Sequence, residues 1–186
     1  MENRAQFVRL PSDRRLAYAQ YGDPEGIPVV YCHGFLSSRR EAQLIHPFAV
    51  AESARIIAAD RPGCGESDAQ PDRSIGDWAD DVELLANHLA LERFAVLGVS
   101  GGAPFALACA CRIPERIIGC ALVSPLGPIY LDSLLDGLDW RTRLNFSAVH
   151  RTPLLSEFLF GPLTAGFWSL YPETLDSLRM ATACVA

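Results

Sequence analysis

The sequence predicts an α/β fold: a doubly wound, mostly parallel sheet followed by helical lid segments. Three observations predict it. Apolar runs of strand length alternate with runs of helical periodicity between residues 7 and 124, the pattern of strands joined by crossover helices. The runs Pro28 to Cys32, Phe94 to Val99 and Ile117 to Ser124 carry no charge, as strands covered on both faces do. Beyond Ile129 the bulky apolar stretches Leu134 to Phe146, Leu154 to Phe160 and Phe167 to Ala183 follow one another with no strand between them, which predicts helices lying over the carboxyl ends of the sheet.

Taken in order, Phe7 to Leu10 and Leu16 to Tyr21 read as two strands of an antiparallel hairpin around Pro11-Ser12-Asp13-Arg14. Pro28 to Cys32 is a central strand that exits through His33-Gly34-Phe35. Residues Ser37 to Ser53 predict a helix interrupted at Pro47 and resuming at Phe48-Ala49-Val50. Arg55 to Ala59 is a strand, and Asp60-Arg61-Pro62-Gly63-Cys64-Gly65-Glu66-Ser67 is a tight, ordered loop rather than a linker. Ser74 and Asp77 resemble a capping box, after which Ile75, Trp78, Ala79, Val82, Leu85, Ala86 and Leu89 recur at helical spacing. Asp77, Asp80, Asp81 and Glu83 are expected largely on the solvent face of that helix, where acids near its start complement the dipole, and not as a metal cluster.

The stretch Gly98-Val99-Ser100-Gly101-Gly102 joins the strand Phe94 to Val99 to a helix starting near Gly102, with Pro104 in its first turn and Ala106, Leu107, Cys109 and Ala110 as its apolar face. A serine in so sharp a turn needs small neighbours, and Gly98 and Gly102 flank Ser100 at i−2 and i+2. Its hydroxyl then projects above the sheet at a helix start, where unpaired N–H groups favour an oxyanion.

Composition narrows the function. The chain has 186 residues, 49% hydrophobic and 20% charged, enough for one domain with a core and too apolar for disorder. A net charge of −6 with no basic stripe argues against nucleic acid and against an anionic membrane, and favours a small-molecule substrate. Phe94 to Cys111 is uncharged and long enough to span a bilayer, but Gly98, Gly101, Gly102 and Pro104 interrupt any continuous helix there. Met1 to Pro11 has no apolar signal core, so a cytoplasmic location is expected, with the six cysteines as thiols and no metal site.

Four motifs occur in one order: His33-Gly34-Phe35, Asp60 to Ser67, Gly98 to Gly102, and Pro114-Glu115-Arg116. Together, over roughly residues 7 to 130, they resemble the α/β-hydrolase family. The resemblance implies the first six strands of that fold, with Ser100 as nucleophile and the backbone N–H groups of Phe35 and Gly101 as the oxyanion hole. It makes His33 a residue that orders the oxyanion loop rather than a general base. Gly34, Gly98 and Gly102 are structural at the site, and no cofactor is implied. Serine at this position disfavours epoxide opening and halide displacement, for which relatives use an aspartate.

In that family the catalytic acid and histidine follow later strands, in the order Ser, Asp or Glu, His. After Ser100 the sequence offers His150 and the acids Asp132, Asp136 and Asp139, all within the lid-like region. The acid and histidine are therefore not present in the expected positions, and the chain is expected to be an incomplete hydrolase: residues 1–130 the N-terminal part of the core, 131–186 a truncated cap. The expected function is hydrolysis of an ester or related acyl bond through a serine acyl-enzyme. Two alternatives stand beside it. One is acyl transfer or cofactor-free perhydrolysis on the same fold; the other is a non-catalytic homologue whose Phe158, Phe160, Phe167 and Trp168 hold an apolar ligand.

Overall fold

A computed structural model of the chain describes residues 5–127 together with Trp140 and Arg143. Six strands, β1 (Gln6–Arg9), β2 (Arg15–Gly22), β3 (Ile27–Cys32), β4 (Ala54–Ala59), β5 (Phe94–Val99) and β6 (Ile117–Val123), form one sheet in the order β1-β2-β4-β3-β5-β6. The hairpin β1–β2 joins through an antiparallel β2–β4 pair, whereas β4, β3, β5 and β6 are parallel. This is the mostly parallel sheet the alternating pattern predicts. The chain winds from β3 outward to β4 and then back across β3 to β5, so the strand order reverses beside the carboxyl end of β3. In open α/β sheets that reversal is where ligands bind.

The interrupted helix resolves into a 3₁₀ segment, Arg39–Ile45, followed by α1 (His46–Ala51), with Pro47 in the first turn of α1, where its missing N–H is harmless. The helix α2 (Asp77–His88) buries Trp78, Ala79, Val82, Leu85 and Ala86 against the sheet. Its start lies two residues later than Ile75. The Asp77 carboxylate accepts from the Ser74 N–H at 2.7 Å, so only the acid's half of the capping box forms, and Gly76 caps the helix without a side-chain bond. That bond also holds the Asp77 carboxyl below its usual range.

Among the acids of α2, Asp81 departs from the expected solvent face. It is buried and paired with Arg14 of the β1–β2 turn at 2.7 Å. Sequence spacing alone does not reveal a cation delivered from a hairpin so far upstream, and burial of the pair pushes the Asp81 carboxyl up. The helix α3 (Ala103–Arg112) buries Ala106 and Cys109, but Leu107, expected on the same face, is exposed. The uncharged stretch Phe94 to Cys111 is split between β5, a 3₁₀ turn at Ser100–Gly102 and α3, and no helix among the described residues is long and apolar enough to cross a membrane.

The strand β6 pairs with β5 and stands at the sheet edge, with Ile118, Leu122 and Val123 exposed. Cys32, Cys109, Cys111 and Cys120 are free thiols. Cys64 is disulfide-bonded in this structure, against the expectation of six thiols; that expectation was drawn from compartment, which governs whether such a bond persists and not which cysteines lie within reach. Among the described residues no group of three or more His, Cys, Asp or Glu is placed to hold a metal ion. The three expected lid helices, His150, and the acids Asp132, Asp136 and Asp139 lie outside the described residues.

Candidate active site

Strand register brings two loops together. In the parallel β3–β5 pair Cys32 stands opposite Gly98, so continuing each strand past its end sets His33-Gly34-Phe35 beside Val99-Ser100-Gly101. Ser100 is exposed at the exit of β5, with φ at +49°. For a residue with a Cβ this left-handed backbone is strained, and such strain is held only where surrounding structure enforces it. Here the enforcing contacts are close. A Cβ on Gly102 would stand 2.0 Å from the Cys32 carbonyl oxygen, and one on Gly98 would stand 2.7 Å from Ala103 Cα. These glycines let β5 double back into α3 against β3, as their spacing about Ser100 predicts. The loop after β6 returns to the same turn, where the Leu126 N–H donates to the Ser100 carbonyl at 3.0 Å.

The loop His33-Gly34-Phe35 is gripped peptide by peptide. In the unit joining His33 to Gly34, the carbonyl accepts from Arg61 Nη1 and the N–H donates to Glu41 Oε2 at 3.0 Å. In the unit joining Gly34 to Phe35, the carbonyl accepts from Arg61 Nη2 at 2.9 Å and lies 3.0 Å from His33 Nδ1. A trans peptide holds its N–H opposite its carbonyl, so fixing the Gly34 oxygen aims the Phe35 N–H the other way. Among the described residues that N–H has no hydrogen-bond partner. Gly101 lies in the first turn after Ser100, where backbone donors have no helical acceptor. The two N–H groups therefore belong to adjoining residues: a Cβ on Gly101 would meet Phe35 N at 2.9 Å.

His33 is fully buried and uses both ring nitrogens. Nε2 accepts from the Arg61 N–H at 3.3 Å, which leaves the proton on Nδ1 to donate to the Gly34 carbonyl. Burial, with the Arg61 charge beside it, holds the imidazole well below its usual pKa and keeps it neutral. A ring so engaged is unavailable to Ser100. Arg61 is itself buried, its guanidinium 4.6 Å from the Phe105 ring centroid, and burial lowers its pKa to about 10.

Glu41 and Arg61 are the site residues that sequence reasoning missed in these roles. Glu41 also accepts from the Tyr31 hydroxyl at 2.7 Å. The loop carrying Arg61 is anchored in turn: Asp60, fully buried, accepts from the Arg39 N–H at 2.6 Å, from the Arg39 guanidinium and from the Glu66 N–H at 2.9 Å. The run Arg39-Arg40-Glu41 directly after a central strand's exit loop was the available signal, although Arg40 is exposed and only Glu41 bonds that loop itself.

A protein-family profile described as alpha/beta hydrolase fold matches residues 27–157. The chain belongs to the α/β-hydrolase family. This α/β hydrolase is 27% identical over 119 residues to a proline iminopeptidase of Neisseria gonorrhoeae, a match covering 62% of the chain and 38% of the relative. It is 34% identical over 126 residues to a non-heme chloroperoxidase of Streptomyces lividans, covering 65% of the chain and 45% of the relative. A crystal structure of a hydrolase from Pseudomonas aeruginosa superposes with a TM-score of 0.66 at 21% identity, covering 99% of this chain and 68% of that one. The chain thus spans less than half the length of these two curated relatives.

Proposed function

We propose that this chain carries the nucleophile of a hydrolase acting on an ester or related acyl bond of a small molecule through a Ser100 acyl-enzyme. The observation that carries the reading is the free Phe35 N–H, aimed by a peptide clamped at its carbonyl and adjoining Gly101 beside a strained Ser100. In the proposed step Ser100 Oγ attacks the carbonyl carbon while its proton passes to a histidine. The carbonyl oxygen takes the negative charge between the Phe35 and Gly101 N–H groups, and the leaving alcohol departs with the proton from that histidine. Water then releases the acid by the same route. Each such donor is worth about 3 to 4 kcal/mol of barrier in serine hydrolases.

Among the described residues no histidine is placed as the base. His33 is consumed by backbone groups, and His46 Nδ1 accepts from the Gly22 N–H at 2.8 Å, away from the elbow. We assign the base and its carboxylate to polypeptide that these 186 residues do not contain, consistent with the share of each relative that they span. On this reading residues 1–130 are the N-terminal part of the core, 131–186 belong to a cap, the protein works in the cytoplasm, and no cofactor is required. Perhydrolysis, in which hydrogen peroxide replaces water in the second step, is the second reading, favoured by the likeness to the relative named as a chloroperoxidase.

A fluorophosphonate probe followed by peptide mapping tests the assignment of the nucleophile. In a polypeptide long enough to include the acid and histidine, capture is expected on the peptide containing Ser100 and is expected to vanish in Ser100→Ala. Capture elsewhere, or none at all, overturns the assignment and favours a non-catalytic binding protein.

A further inference from the structure

A cavity lies between the loop that follows β4 and the first turns of α3. Its volume is about 390 Å³, and its wall includes Pro62, Gln70, Asp72, Arg73, Ile75 and Phe105, with none of Ser100, Gly101, Gly34 or Phe35. Arg73 is half-buried, its guanidinium 5.7 Å from the Phe105 ring centroid. Among the described residues it has no hydrogen bond and no ion pair. Every other buried or half-buried arginine around it is committed: Arg14 to Asp81, Arg39 to Asp60 and Glu66, and Arg61 to the two carbonyls of the oxyanion loop. Gln70 on the same wall has its side-chain Oε1 buried without a partner. Two polar side chains of this cavity are thus not tied down by the protein, and one carries a charge.

We propose that this cavity binds the carboxylate of a small organic acid, the Arg73 guanidinium taking the two oxygens and Phe105, Ile75 and Pro62 taking the apolar body. The planar fork of a guanidinium matches a carboxylate in two parallel N–H···O bonds. Burial lowers the pKa of Arg73, and its neighbours include both signs, Asp81 and Asp77 against Arg14. An incoming anion supplies the counter-charge that none of these contacts delivers as an ion pair. Asp72 on the wall disfavours a dianion, so a singly charged carboxylate fits where a phosphate monoester does not. The lining sets apolar groups beside polar ones, with a phenyl ring next to the guanidinium, so one ligand can meet both.

Isothermal titration of the 186-residue protein with benzoate, benzamide and inorganic phosphate tests this. Benzoate is expected to bind saturably at one site per chain. Benzamide, which has the same shape without the charge, and phosphate are each expected to bind at least tenfold more weakly. Arg73→Gln is expected to weaken benzoate at least tenfold, and Arg73→Lys, which keeps the charge without the fork, by a smaller factor. Absence of saturable benzoate binding, equal binding of benzamide, or an unchanged affinity in Arg73→Gln would overturn the proposal. Equal binding of phosphate would replace the carboxylate site by a general anion site and overturn the stated ligand class. The benzoate and benzamide comparison uses the unaltered protein and holds whether or not Arg73→Gln folds.

Discussion

Gly101 and Phe35 pack so closely that a Cβ on Gly101 would stand 2.9 Å from both the Cβ and the backbone nitrogen of Phe35. Two loops from different strands thus present their backbones within one van der Waals contact of each other. The space between β3's exit and the elbow is closed to side chains and reserved for backbone donors. That relationship makes the elbow's stability and its proposed chemistry separable by mutation.

A valine at Gly102 would drive its Cβ into the Cys32 carbonyl, which lies 2.0 Å from the ideal position. Backbone on both sides leaves little to yield, so Gly102→Val is expected to lose about 3 kcal/mol or more in urea unfolding. Ser100→Ala leaves stability nearly unchanged, because it removes only an exposed hydroxyl. Ser100→Gly is expected to gain up to about 1 kcal/mol by relieving the positive φ. Equal losses in Gly102→Val and Ser100→Ala would contradict this account of the turn.

Glu41 holds the Gly34 N–H and the Tyr31 hydroxyl at once. Glu41→Ala leaves both donors without a partner and is expected to cost about 1 to 3 kcal/mol, read as a lower melting temperature. Amide exchange at Gly34 should accelerate more than at residues of β4, because the released loop is local. Uniform acceleration across the sheet would show that Glu41 supports the whole fold and not this loop.

His33 gives a pH signature with a definite sign. Its pKa in the folded state lies well below the ordinary value of 6.5, so between those two values the unfolded chain binds the extra proton. Stability from this group is present above pH 6.5 and is lost as pH falls below it, by up to about 1.4 kcal/mol per pH unit. His33→Asn, which keeps a donor near the Gly34 carbonyl, should be less stable at pH 8 and should show a shallower decline from pH 6.5 to 5. An identical acid slope in both proteins would mean that His33 is not buried neutral.

The six strands and the elbow were legible because each is a local pattern: short runs of four to eight mostly apolar residues, and glycines at fixed offsets from Ser100. What the sequence hid depends on partners far along the chain. Asp81 looks like one more surface acid of α2 until Arg14 arrives from the first hairpin. Arg61 reads as a loop residue until β3 and β4 pair, with Val30 opposite Ile57 and Tyr31 opposite Ala58, and set its guanidinium against the carbonyls of His33 and Gly34. The grip on the His33-Gly34-Phe35 loop is made by side chains at positions 33, 41 and 61, and no periodicity links those three. The aromatic residues expected in a lid, Phe158, Phe160, Phe167 and Trp168, lie outside the described residues.

The central claim is that Ser100 is a nucleophile whose base lies outside these 186 residues, and hydrolysis of p-nitrophenyl acetate tests it most directly. In serine hydrolases, loss of the histidine costs about 10⁶ in turnover. The 186-residue chain is therefore expected to turn over about 10⁶-fold more slowly than a polypeptide with the complete triad, with Ser100→Ala indistinguishable from it. A longer polypeptide that supplies the acid and histidine should turn over and lose that activity in Ser100→Ala. Turnover by the 186-residue chain that disappears in both Ser100→Ala and His150→Ala would contradict the claim and establish a serine–histidine dyad within this chain.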